Sequence, residues 1–190
     1  QSMITLRGHT GAVFSAAYAK RLTAYGDQGP GGIYRTDTAT NTTIPWGVVP
    51  NAGNTTHGPV GLGDLAFWDV VGKEGLGDID LSEDGTRLFV VNLADRNLYE
   101  YDATADAMAA PLSVTPIPAS ACPVGAPGDW RPFGLGVRDN VLYVGGVCSG
   151  ESTGLRSDVS AAVWTFDITG SPASPALALQ RPLDFLRGEV

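Results

Sequence analysis

GLGDIDLSEDGTRLFVVNLADRNLYEYD, residues 75–102, contains three short apolar runs, at 79–81, 88–91 and 98–101. Ser82-Glu83-Asp84-Gly85-Thr86 and Ala94-Asp95-Arg96-Asn97 separate them. Runs this short, rich in Val, Ile, Phe and Tyr and bounded by Asp, Gly and Asn, predict antiparallel strands joined by tight turns. A helix needs about 10 residues or more on a 3.6-residue period, and the Asp84-Gly85 break denies it that length. The stretch reads as a β-meander.

Repetition turns the meander into an architecture. Its last strand, Leu98-Tyr99-Glu100-Tyr101-Asp102, runs aliphatic, aromatic, polar, any residue, Asp, and the same order returns in Ile33-Tyr34-Arg35-Thr36-Asp37 and Val163-Trp164-Thr165-Phe166-Asp167. The middle strand, Leu88-Phe89-Val90-Val91-Asn92, is matched by Val13-Phe14-Ser15-Ala16-Ala17 and Leu142-Tyr143-Val144-Gly145-Gly146. The first strand is matched by Phe133-Gly134-Leu135-Gly136-Val137. Radial repetition of such units protects sheet edges that a lone meander exposes. The fold class expected is all-β and β-propeller-like, with about three four-stranded antiparallel blades. Since a closed ring takes about four blades or more, a partial propeller is expected: a fragment of a ring, one half of a ring completed by a second chain, or sheets packed as an open array. Two chains of three blades would complete a six-bladed ring as a homodimer.

The expected boundaries follow. Residues 1–3 look like a tag remnant, 4–50 form blade one, lacking most of its opening strand, and 51–74 form a connection. Within that connection 64–71 has Asp64 as N-cap and Leu65, Trp68 and Val71 on one helical face. Blade two takes 75–118, blade three 119–181, and 182–190 starts a further blade or a closing strand.

Composition narrows the function. The 190 residues are 43 % hydrophobic and 17 % charged, with 25 Gly and 13 Pro, which suits a loop-rich all-β domain. A net charge of −8 with 12 scattered Lys and Arg excludes a nucleic-acid interface and a basic membrane-surface patch. No apolar run approaches the roughly 20 residues of a membrane helix. Cys122 and Cys148 sit in Pro- and Gly-rich loop contexts, far in sequence from His9 and His57, so they do not build a zinc site. Two readings stand for them: a disulfide, which indicates a compartment outside the cytosol, and two buried reduced thiols.

At DWRPFG (129–134), LYVGGVCS (142–149) and GLGDIDLSEDG (75–85), with AAYAKR (16–21) and GGIYRTD (31–37), the chain resembles bacterial secreted β-propellers that precede Sdr-type B-repeats in large surface proteins. DGTRLFVVN is shared more widely with quinoprotein-like and NHL-like propellers. The resemblance covers roughly 11–188 and implies an extracellular, non-catalytic surface module that engages a protein or glycan, with no catalytic residues to carry over.

Several residues invite chemistry. Asp78 and Asp129 precede the first strands of successive blades, where converging oxygens near a propeller axis hold Ca²⁺ or another hard cation; the alternative is an Asp that caps a turn. Asp80-x-Ser82-x-Asp84-Gly85 imitates the start of an EF-hand loop, but Val91 stands where a bidentate Glu is required. Gly146-Val147-Cys148-Ser149-Gly150 has the outline of a nucleophile elbow without the helix or downstream His that chemistry needs. Lys20, Arg21, Trp130, Arg131 and Arg156 combine cationic and aromatic character in loops, as partner-contact residues do; the competing reading has Trp130 and Phe133 plugging the gap between blades. Asn41-Thr42-Thr43 and Asn54-Thr55-Thr56 match glycosylation acceptors. The enzymatic alternative to a binding module is a metal-dependent hydrolase of the lactonase-like propellers, built on Asp78 and Asp129.

Overall fold

The computed structural model describes residues 2–5, 11–18, 26–56, 65–119, 122–170 and 174–185. Strands β1 (Ser2–Thr5), β2 (Ala12–Tyr18), β3 (Gly32–Asp37) and β4 (Thr42–Val48) form one antiparallel sheet in sequential order. After a single helical turn, α1 (Leu65–Trp68), a second sheet follows from β5 (Leu76–Leu81), β6 (Arg87–Asn92), β7 (Asn97–Asp102) and β8 (Ser113–Pro116). The third comprises β9 (Trp130–Arg138), β10 (Val141–Cys148), β11 (Ser160–Asp167) and β12 (Ser174–Pro182). These are three four-stranded blades of a partial β-propeller.

Blade two is the middle layer, and its sequence shows why. Leu88 and Val90 of β6 face blade one, in a cluster with Phe14, Ile33 and Trp46. Phe89 and Val91 face blade three, packed with Trp130, Leu142, Val144 and Phe166. A strand covered on both faces reads as a continuous apolar run, and Leu88-Phe89-Val90-Val91 does so. Blade three has one covered face, so β11 alternates: Ala162, Trp164 and Phe166 are buried while Ala161, Val163 and Thr165 are partly exposed.

The turns obey their backbone geometry. Asp139 and Asn140 join β9 to β10 with φ of 53° and 57°, the paired positive values of a two-residue type I′ turn that Asn and Asp tolerate. Phe133 is the extra residue of a β-bulge in β9 opposite Gly145/Gly146, and a Cβ on Gly146 would lie 2.6 Å from the Arg131 carbonyl oxygen, so only glycine permits that approach.

Three expectations need correction. Blade one is complete, because Ser2 to Thr5 pair with Tyr18 to Ser15 through backbone bonds; Ser2 and Met3, read from sequence as tag remnant, lie in that strand. The helix is one turn rather than two, and the face expected to be buried is exposed: Leu65 is 83 %, Trp68 58 % and Val71 41 % exposed. Four residues are too few for a helix to stabilise itself or cover a stripe; Asp64 lies outside the described residues. Blade three extends through Pro182, which pairs with Ser160, and 183–185 form no strand.

Candidate functional site

The recurring closing Asp is a turn device. Asp37, Asp102 and Asp167 stand opposite Ala12, Arg87 and Val141, the first residues of their middle strands. The carboxylate of Asp102 accepts from the N–H and hydroxyl of Thr104, and that of Asp167 from those of Thr169. Asp37 accepts from the N–H groups of Ala39 and Thr40 and from the Thr40 hydroxyl. These bonds hold all three carboxyls below their usual range.

Between blades two and three, carboxyl side chains do a different job. β5 and β9 each end a sheet, so alternate N–H groups on both point away from their own ladders. Asp78 accepts from its neighbour Ile79 N–H at 3.0 Å and, through its other oxygen, from Leu135 N–H of β9 at 3.3 Å. Asp80 repeats the arrangement two residues on, accepting from Leu81 N–H at 2.9 Å and Val137 N–H at 2.8 Å. Glu83 adds Asp139 N–H at 2.9 Å. The spacing 78, 80 answers 135, 137 because both strands alternate with period two. Gly77 lets the backbones approach this closely, since a Cβ there would lie 2.9 Å from the Phe133 carbonyl oxygen. Burial raises the Asp78 pKa, and the nearby Asp80 adds to the rise, against the lowering effect of the Leu135 and Ile79 bonds.

Asp129 sits in a separate network. Its buried carboxylate accepts from both the N–H and the hydroxyl of Ser152, which lower its pKa and fix the loop after β10. Beside it Glu151 pairs with Lys73 and with Arg131, whose Nη2 is 2.9 Å away. The two proposed metal ligands therefore have different partners, and both oxygens of each already accept protein hydrogens. Among the described residues no group of three or more His, Cys, Asp or Glu side chains is assembled for a metal.

The contact residues fare differently. Trp130 is fully buried in the core between blades two and three and is not a surface contact; it plugs the blade interface. Arg131 pairs with Glu151 and donates to the Gly128 and Trp130 carbonyls. Arg156 remains exposed and donates to the carbonyls of Asp184 and Phe185. Lys20 and Arg21 lie outside the described residues. Cys122 and Cys148 form a disulfide with Cα atoms 5.5 Å apart, which also removes Cys148 as a nucleophile.

Sequence reading missed Asp80 and Glu83 as members of the inter-blade ladder, although the Asp-x-Asp alternation on a first strand was its signal. It also missed Arg87, whose Nη1 is 3.1 Å from Glu100 and whose Nη2 donates across to the Ile168 carbonyl of blade three at 2.7 Å.

No family model matches the chain. Among curated proteins it is similar to Colossin-D of Dictyostelium discoideum, 28 % identical over an alignment of 188 positions that covers 94 % of this chain and 19 % of that protein. Among solved structures it is similar to a protein from Lactobacillus plantarum, 17 % identical with a TM-score of 0.51, covering 93 % of this chain and 41 % of that one. It is also similar to a putative 6-phosphogluconolactonase from Bacteroides uniformis, 10 % identical with a TM-score of 0.46, covering 90 % of this chain and 38 % of that one. The chain thus spans about a fifth of its curated relative and about two fifths of each solved neighbour. At 17 % identity and a TM-score of 0.51, the Lactobacillus structure speaks to the fold alone.

Proposed function

We propose that this chain is a three-blade segment of a larger propeller protein, acting outside the cytosol as a non-catalytic module that presents its loops to a protein or glycan. The observation that carries the reading is the use made of the inner-strand carboxyls. Asp78 and Asp80 bind backbone N–H groups of two blades at once, as structural cement, where a hydrolase needs acidic oxygens open to metal and water. The Cys122–Cys148 disulfide fits an oxidising compartment, and no helix among the described residues is long and apolar enough to cross a membrane. The small share of Colossin-D covered suits a module within a long chain.

A second reading, a metal-dependent lactonase-type hydrolase, agrees with the name of the Bacteroides neighbour. One observation in this chain favours it: the raised pKa of Asp78 on an innermost strand, a property of general bases. Hydrolysis of δ-gluconolactone and p-nitrophenyl acetate with Ca²⁺, Mg²⁺ or Zn²⁺ separates the two. The binding-module reading expects rates equal to the buffer blank, and metal-dependent turnover lost in Asp78→Asn establishes the hydrolase instead.

A further inference from the structure

The crevice between blades one and two differs from its counterpart between blades two and three at two register positions, Ala12 for Arg87 and Arg35 for Glu100. Ala12, Arg87 and Val141 are equivalent, each opposite the Asp that closes the next strand. Arg87 fills its crevice, its guanidinium 5.4 Å from the Phe89 ring centroid and bonded to Glu100 and the Ile168 carbonyl. Ala12 has no such reach. A crevice of about 210 Å³ is left, bounded by Phe14 and Arg35 from blade one and Asp84, Thr86 and Thr104 from blade two.

The polar groups around this space are unevenly satisfied. Arg35 stands opposite Phe14 as Glu100 stands opposite Phe89, so a cation replaces the acid of blade two. Its Nε is buried without a hydrogen-bond partner, and its ion pair with Asp106 is 3.9 Å long to a side chain fully in solvent. Asp84 takes bonds from Ser82 and from the N–H and hydroxyl of Thr86, all on Oδ1. The site therefore offers guanidinium donors on one wall and carboxylate acceptors on the other.

We propose that this crevice binds one hexose ring, with Arg35 donating to its hydroxyl oxygens and Asp84 accepting from a neighbouring hydroxyl. A simple anion is repelled by Asp84 and a simple cation by Arg35, whereas a neutral polyol satisfies both. The volume equals the space of about seven water molecules, enough for one ring and too small for an oligosaccharide to enter lengthwise. The inference rests on the binding-module reading for its choice of a glycan, but lactone turnover and hexose binding are read in separate assays and fail separately.

The test is amide-resonance titration of the whole chain with methyl α-glucoside, methyl α-galactoside and methyl α-mannoside, with glycine and acetate in parallel. At least one hexoside is expected to shift the resonances of Arg35, Thr86 and Thr104, saturating on the order of 1 mM as befits a ligand of this size. The double variant A12R/R35E copies the Arg87–Glu100 pair into the crevice; it keeps the fold and abolishes the shifts. Arg35→Gln, which does not fill the space, weakens binding by about tenfold through loss of a charged donor. The proposal is overturned if no hexoside moves these resonances, if glycine or acetate moves them instead, or if the shifts persist in A12R/R35E.

Discussion

Replacing Asp80 by Ala removes the acceptor for two N–H groups at once, Leu81 of its own strand and Val137 of the next blade. Both residues are buried, Leu81 5 % and Val137 4 % exposed, so neither amide is freely rescued by solvent. An orphaned buried donor costs about 1–3 kcal/mol, and because Asp80 itself is only half buried, water partly relieves one of the two; the expected loss is about 2–4 kcal/mol. For a chain of 190 residues that corresponds to a fall in Tm of roughly 5–15 °C. Asp80→Asn keeps one acceptor oxygen but sets an NH₂ against an N–H, and should lose about 1–3 kcal/mol. Urea and thermal unfolding measure the loss, and hydrogen exchange locates it: the Val137 amide should exchange faster in Asp80→Ala than in wild type. The control is Asp106→Ala, a fully exposed carboxylate expected to change stability by less than about 0.5 kcal/mol. If Asp80→Ala is as stable as that control, the carboxyl ladder does not hold the blades together.

Gly77→Ala places a methyl against the Phe133 carbonyl and should cost about 1–3 kcal/mol by overpacking; an unchanged unfolding midpoint would show that β5 and β9 separate freely. Reducing the Cys122–Cys148 bridge, which spans 26 residues, should cost about 3 kcal/mol, and a mass unchanged by reduction with both thiols alkylatable in unfolded protein would refute the bridge. Asp84 is lowered from 3.8 to about 2, first by the Ser82 hydroxyl and then by the Thr86 bonds. Its folded value lies below the unfolded one, so its stabilisation is complete above 3.8 and is lost as pH falls through about 2; Asp84→Asn should flatten the stability curve in that window, and an unaltered curve would contradict the assignment. Asp78 works in the opposite sense, its raised pKa favouring the fold as pH falls through the folded value, so Asp78→Asn should remove that acid-side gain.

The blades were legible in the sequence because their signals are local. Leu88-Phe89-Val90-Val91 is apolar throughout because two neighbours cover it, and the closing Asp repeats because each turn needs an acceptor for the N–H two residues on. The first strand of blade one was not legible, since Ser2 to Thr5 join the sheet by backbone pairing that carries no side-chain pattern. Of the two readings open for Cys122 and Cys148 the disulfide is the one formed, although Cys148 ends strand β10 and does not lie in a loop. Trp130 and its neighbour Arg131 read alike as contact residues, while strand alternation sends the two to opposite faces. Asp78 and Asp129 looked alike in sequence, each after a Gly and before a first strand. Their partners set them apart: Leu135 in the next blade for one, Ser152 in a loop for the other. Contacts of that kind depend on how blades stack, which no single strand encodes.

The central claim is that the inner carboxyls bind blades and not metal. Thermal unfolding in Ca²⁺ and in chelator tests it most directly, because a ligand bound only by the folded state must raise Tm. Coincident transitions are predicted; a Tm raised by Ca²⁺ and restored to the chelator value by Asp78→Asn would contradict the claim and make Asp78 a metal ligand.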